Sequence, residues 1–165
     1  RTLCRNHENV NYRELAVGSA EETRVMTIWD DLNGSSFLPA EDEMWLKKGK
    51  QRKIEVTTLD SLLAEDPSGV PDLVKLDIQG FELEALKGAK TLLGRTELFV
   101  LEVSLYHFFE NTPVLSEVIE FMAERGYDLY DIVDAARRPH DGALAQVDIA
   151  FARRQGILRS SNAWG

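Results

Sequence analysis

Apolar and polar positions divide the chain into an extended first part and a second part in which strands and helices alternate. Residues 12–17, 24–29 and 53–57 read as extended segments. Gly18-Ser19 closes the first, and Asp30-Asp31-Leu32-Asn33-Gly34, with its turn-forming Asn-Gly pair, closes the second. Short helices are expected over 41–48 and 59–64. From Pro71 the texture changes. Leu73-Val74-Lys75-Leu76-Asp77-Ile78 is nearly continuous apolar sequence, as in a parallel strand covered on both faces. Residues 81–93 then set Leu83, Leu86, Ala89 and Leu93 along one helical stripe, with Glu82 and Glu84 near the positive end of the dipole and Gly94 past the last turn. A second buried strand is expected over 98–103. Thr112 reads as an N-cap with Pro113 at the first helical position, Leu115, Val118, Ile119 and Met122 as the inner stripe, and Gly126 as the stop. Residues 127–133 and 147–152 predict an antiparallel pair at a sheet edge. The sum is an α/β layered domain over residues 1–165, mostly parallel, with an antiparallel edge hairpin.

Composition narrows the partners. The chain has 165 residues, 44% of them hydrophobic, and a net charge of −9. That describes one globular domain rather than a disordered chain, with a surface that repels nucleic acid and anionic membranes. Cys4 is the one cysteine, so no intramolecular disulfide and no cysteine zinc cluster can form. No apolar run approaches the roughly 20 residues that span a bilayer, and Arg1-Thr2-Leu3-Cys4 is not a signal peptide, so a soluble, cytoplasmic protein is expected. The basic run Lys47-Lys48-Gly49-Lys50-Gln51-Arg52-Lys53 has no interleaved aromatic. It reads as a solvated face, with steering of an anionic small molecule as its functional alternative.

Chemistry is expected beyond the carboxyl ends of the strands, where open α/β sheets bind ligands. Asp77 and Glu102 stand at two such ends, and Lys75 shares a strand face with Asp77. A structural ion pair is the plain reading of Lys75 and Asp77. The functional reading draws on the next few residues of the chain. Gly80 lets the backbone approach a ligand, and Glu82 adds an acid in the first helical turn. Asp77 is the first candidate for a proton acceptor, or for a divalent-cation ligand together with Glu102. His107, just past the second buried strand, is the next candidate base, against a plain reading as a packed loop residue between Tyr106 and Phe108. His7 and His140 lie in polar surroundings and carry less.

The stretch from Leu73 to Ala89, centred on Lys75-Leu76-Asp77-Ile78-Gln79-Gly80-Phe81-Glu82, resembles the hallmark segment of the FkbM family of S-adenosylmethionine-dependent methyltransferases. Glu14-Leu15-Ala16-Val17-Gly18, Gly34-Ser35-Ser36, Val56-Thr57-Thr58-Leu59-Asp60-Ser61-Leu62 and Phe99-Val100-Leu101-Glu102-Val103 look like further family segments in the expected order. The resemblance implies a Rossmann-like class I methyltransferase fold, with S-adenosyl-L-methionine across the strand ends and a hydroxyl on a small molecule, such as a sugar or natural-product scaffold, as methyl acceptor. It places Ala16 and Val17 near the adenine, faces Asp77 to the methyl donor and acceptor, and counts Gly80 among the cofactor-binding residues. One departure matters. The family's glycine-rich loop after its first strand, and the acid ending its second strand that holds the ribose, have no counterpart, so the first two strands are expected to be missing and Arg1 to be internal to a longer enzyme. The 165 residues alone are then expected to bind the cofactor poorly and to be inactive.

Two other classes compete. A receiver-type signalling domain phosphorylated at Asp77 would need a later lysine near the phosphoryl group, and no lysine follows Lys90. A non-catalytic interaction domain would instead use open strand edges to pair with a partner. Homo-oligomerisation is left open.

Overall fold

The computed structural model describes residues 10–30, 34–38, 42–66 and 68–164. Cys4, His7, most of the Asp30–Gly34 turn and the start of the helix expected over 41–48 lie outside them. β1 (Ala16–Val17), β2 (Glu22–Thr27), α1 (Glu43–Lys47), β3 (Gln51–Thr57) and α2 (Leu59–Ala64) come first. β4 (Leu73–Leu76), α3 (Glu82–Lys87), β5 (Leu98–Ser104), α4 (Leu115–Glu124), β6 (Tyr127–Arg137) and β7 (Leu144–Arg153) come next, and a 3-10 turn (Ile157–Arg159) comes last.

The strands form two sheets in place of the single mostly parallel one expected, with orders β1-β3-β2 and β4-β5-β7-β6. Only β1 with β3 and β4 with β5 pair in parallel among the described residues; β2 with β3, β5 with β7 and β6 with β7 are antiparallel. The expected β6–β7 pair is present, and both of its strands run longer than the sequence pattern suggests. β7 lies inside the sheet, so β6 alone forms that edge. β4 is the opposite edge. It is not covered on both faces as its apolar run suggests: Leu73 is 55% exposed and only Leu76 is buried.

One core fills the layer between the four-stranded sheet and its helices. Phe99, Leu101 and Val103 from β5 and Val147, Ile149 and Phe151 from β7 meet Leu86, Ala89, Val118, Met122 and Tyr127. Alternation along β5 sends these apolar side chains to one face and leaves Glu102 on the other. Tyr127 is fully buried, and its hydroxyl donates to the Thr96 carbonyl at 2.7 Å while accepting from the Gly94 amide at 3.0 Å. Tyr127→Phe strands both backbone groups. It should cost about 1–3 kcal/mol in urea denaturation.

Two helices start or stop differently from the sequence pattern. Thr112 does not cap α4. Val114 is drawn into an isolated bridge with Ser104, so the helix starts at Leu115. Glu117 then reaches back to the Val114 amide at 2.8 Å, and the buried Thr112 hydroxyl accepts from the Phe109 amide instead. On α4, Val118 and Met122 are buried as expected, while Ile119 is 37% exposed. α3 stops at Lys87 rather than continuing to Leu93. The Asp60 carboxylate captures the amides of Lys90 and Thr91, at 3.0 and 2.8 Å, and the Asp60 amide donates to the Gly88 carbonyl. At that point the two sheets' layers meet backbone to backbone, since a Cβ on Gly88 would lie 2.1 Å from the Gly18 carbonyl oxygen.

The edge strand β6 is irregular. Its register against β7 shifts between Leu129 and Asp131, between Ile132 and Asp134 and after Ala136. The Asp131 and Asp134 carboxylates each accept from the next residue's amide. Leu129, Tyr130, Ile132 and Val133 are exposed beside them. No described helix is long and apolar enough to cross a membrane.

Candidate functional site

The turn from β4 into α3 organises the strand ends. Gln79 and Gly80 have φ values of 56° and 90°. Gly80 takes that conformation freely; Gln79 is strained by it and is held by its neighbours. The buried Glu82 carboxylate accepts from the amides of Ile78 and Gly80, at 3.0 and 3.3 Å. Burial pushes the Glu82 carboxyl up, and these backbone donors oppose that. From the other side, Ser36 donates to the Gln79 carbonyl at 2.7 Å. Ser36 is itself bridged to Thr27, so the three-stranded sheet holds the turn in place.

A polar network lies across these ends. Lys75 bonds Asp77 at 3.2 Å, as its spacing on the strand suggests, and also Asp148 at 3.0 Å. Hydrogen bonds to Asp148 and then Asp77 raise the Lys75 pKa. The Gln79 amide nitrogen donates to Asp77 at 3.2 Å and to Glu102 at 2.8 Å, linking the two acids that the sequence marks. Glu102 stands opposite Asp148 in the β5–β7 register. Burial first, then the charges of Asp77, Glu82 and Asp148, push its carboxyl up to about 7, against a smaller opposing pull from Lys75. Asp77 is exposed and ion-paired; Glu102 is half-buried and poised to exchange a proton near neutral pH.

This arrangement does not fit a cation site built from Asp77 and Glu102. A glutamine amide lies between the two carboxylates and an ammonium group already neutralises Asp77. No group of three His, Cys, Asp or Glu among the described residues is arranged to hold a metal ion.

Two clefts meet at Gly80 and Thr112. One, of about 660 Å³, is lined by Arg24, Phe81, Lys87, His107 and Glu117 among others. His107 is exposed there, and its Nδ1 lies 2.8 Å from the Thr112 carbonyl oxygen. A carbonyl can only accept, so Nδ1 carries the proton in this bond and Nε2 is left as the basic nitrogen. The second, of about 470 Å³, opens at the ends of β4 and β5 between Gln79, Ser104, the 108–109 loop and the β6–β7 turn.

Ala16 and Val17 are half-buried in the other sheet. Ala16 packs on the cluster of Phe37, Val56 and Phe81, and Val17 on the main core. Ala16 thereby shares its cluster with Ile78 and Phe81 of the 78–81 turn. Sequence reasoning misses Gln79 and Asp148 as site residues. Gln79 sits inside the motif with no charge to mark it, and Asp148 becomes a neighbour of Glu102 only once β7 is paired with β5.

Asp77 and Asp148 share one ammonium group, Lys75, so the strand ends carry a negative balance that favours cationic over anionic groups. The family model described as Methyltransferase FkbM domain matches residues 2–129. No curated protein and no solved structure matches the chain.

Proposed function

The chain belongs to the FkbM methyltransferase domain family, and on that premise we propose that it takes part in S-adenosylmethionine-dependent O-methylation of a hydroxyl on a small molecule. The observation that carries this reading is the Gln79 bridge, which holds the ion-paired Asp77 and the half-buried Glu102 together at the mouth of the strand ends. When bound, S-adenosylmethionine supplies an electrophilic methyl group on a sulfonium. Asp77 and Gly80 would hold its reacting end, and Ala16 and Val17 would hold its adenine.

Positioning does most of the work in such a transfer, and the strapped 77–82 turn suits it because its backbone is fixed before any ligand arrives. The acceptor hydroxyl must also lose a proton. Glu102 takes it in this reading, since a carboxyl held near 7 combines a useful ionised fraction with real basicity. Asp77, paired with Lys75, orients Gln79. His107, in the neighbouring cleft, is the alternative acceptor.

Transfer of a labelled methyl group from S-adenosylmethionine by the full-length protein to a panel of small sugars and hydroxylated aromatics tests the proposal. Labelled ether is expected, in a yield that rises with pH through a midpoint of about 7. Cofactor binding with no transfer to any hydroxyl would sink it.

A further inference from the structure

The 470 Å³ cleft is charged in one sense only. Its acid-free lining includes Arg137 and Arg138 on an otherwise acidic chain of net charge −9. The two arginines differ. Arg138 is bound through two nitrogens to Asp141, at 2.8 and 2.6 Å, and stacks 4.1 Å from the centre of the Tyr106 ring. Its charge is already compensated. Arg137 donates from Nη1 to the Gly142 carbonyl at 2.9 Å, and among the described residues no carboxylate pairs with it. Its guanidinium is thus oriented by a backbone contact and keeps its full charge at the rim.

One side of the wall is aromatic and braced, beside the polar Ser104, Thr112 and Gln146. Trp29, Phe108 and Phe109 line it, and Phe108 is 44% exposed. The Phe108 ring leans on Tyr106 at 5.8 Å between centroids, and Thr112 holds the Phe109 amide. On the floor Gln79 connects the cleft to Asp77 and Glu102.

We propose that this cleft is the acceptor pocket and that it selects a hydroxylated, flat-bodied carboxylic acid, whose carboxylate pairs with Arg137 and whose ring packs on Phe108 while its hydroxyl points toward Gln79. The acceptor role rests on the methyltransferase reading; the ligand chemistry rests on the cleft alone. One uncompensated arginine in an acidic protein matches a monoanion and leaves a phosphate dianion half-neutralised.

Binding of 4-hydroxybenzoate, its neutral methyl ester and 4-hydroxyphenyl phosphate to the protein, measured by calorimetry at constant ionic strength, tests the assignment without requiring turnover. The acid should bind at least about ten-fold more tightly than the ester, the scale of one charge-assisted hydrogen bond. Arg137→Gln should bring the acid down to the level of the ester, and Arg137→Lys should restore part of the preference. Equal binding of acid and ester by the unaltered protein overturns the proposal, as does a preference that survives Arg137→Gln or tighter binding of the phosphate. The methyltransferase reading fails separately. Selective binding of the acid with no methyl transfer to any acceptor removes that reading and leaves the pocket, whereas methyl transfer without acid selectivity removes the pocket and leaves the reading.

Discussion

Glu102→Gln should lower the rate of methyl transfer by about 10²–10⁴-fold, the usual contribution of a positioned proton acceptor. The substitution keeps the side chain's shape, and its amide oxygen can still accept from Gln79, so little else should change. The accompanying pH behaviour separates Glu102 from His107. In the unaltered protein kcat should rise with pH through a midpoint of about 7, where burial and the charges of Asp77, Glu82 and Asp148 hold this carboxyl. In Glu102→Gln that limb should vanish. A limb that persists in Glu102→Gln and disappears in His107→Gln would move the role to the histidine. Stability provides a second readout with a definite sign. Because the folded carboxyl titrates at about 7 and the ordinary one near 4.5, the folded state binds more protons between those values. The contribution of Glu102 to stability is therefore present below about 4.5 and is lost as pH rises toward 7. Relative to the unaltered protein, Glu102→Gln should gain stability between about pH 5 and about pH 8 when denaturation is measured at both.

Gly88→Ala should be the most damaging small substitution for the fold. Its methyl group would lie 2.1 Å from the Gly18 carbonyl oxygen and 3.2 Å from the Thr58 Cβ. The nearest atom belongs to the backbone, and no rotamer change moves it away. Gly18 is itself fixed, since its amide donates to the Thr57 carbonyl and its own Cβ position is crowded by Val56 and Phe81. Relief requires the end of β1 to part from the end of α3. A cost of about 1–3 kcal/mol is expected for Ala, and more for Val. Urea denaturation should show a lower midpoint at unchanged slope, whereas Lys87→Ala one residue earlier, on the exposed side, should stay within about 0.5 kcal/mol. Equal effects of the two would mean that the Gly18–Gly88 contact carries no weight.

The elements legible in the sequence are those with a local cause. β5 and α4 announce themselves by an apolar run and a helical stripe, and the β6–β7 pair by two strand patterns around a short loop. The features that escape such a reading depend on partners distant in sequence. The helix expected over 81–93 satisfies every local rule, and it stops at Lys87 because Asp60, far earlier in the chain, takes the amides of Lys90 and Thr91. Thr112-Pro113 is a sound helix start on propensity, but pairing of Val114 with Ser104 overrides it. Leu73 looks like core and stands on an edge. At the site, Lys75, Asp77, Gly80 and Glu102 are legible because charge or flexibility at a strand end is rare. His107 is legible too, and it lies in the neighbouring cleft with its ring tied to the Thr112 carbonyl. What makes Glu102 basic is hidden from the sequence, for it comes from burial and from acids, Asp148 among them, that only the folded sheet gathers around it.

The open edge of β6 has a bearing on how this protein survives in concentrated solution. Eleven residues of strand, with four large apolar side chains in view, would ordinarily invite other chains to add on. Each break in register interrupts the even row of amides and carbonyls that an incoming strand must match. At two of those breaks a carboxylate already occupies a backbone donor and adds a negative charge. The edge thus carries its own gatekeepers against fibrous growth, built from its irregular register and its carboxylates.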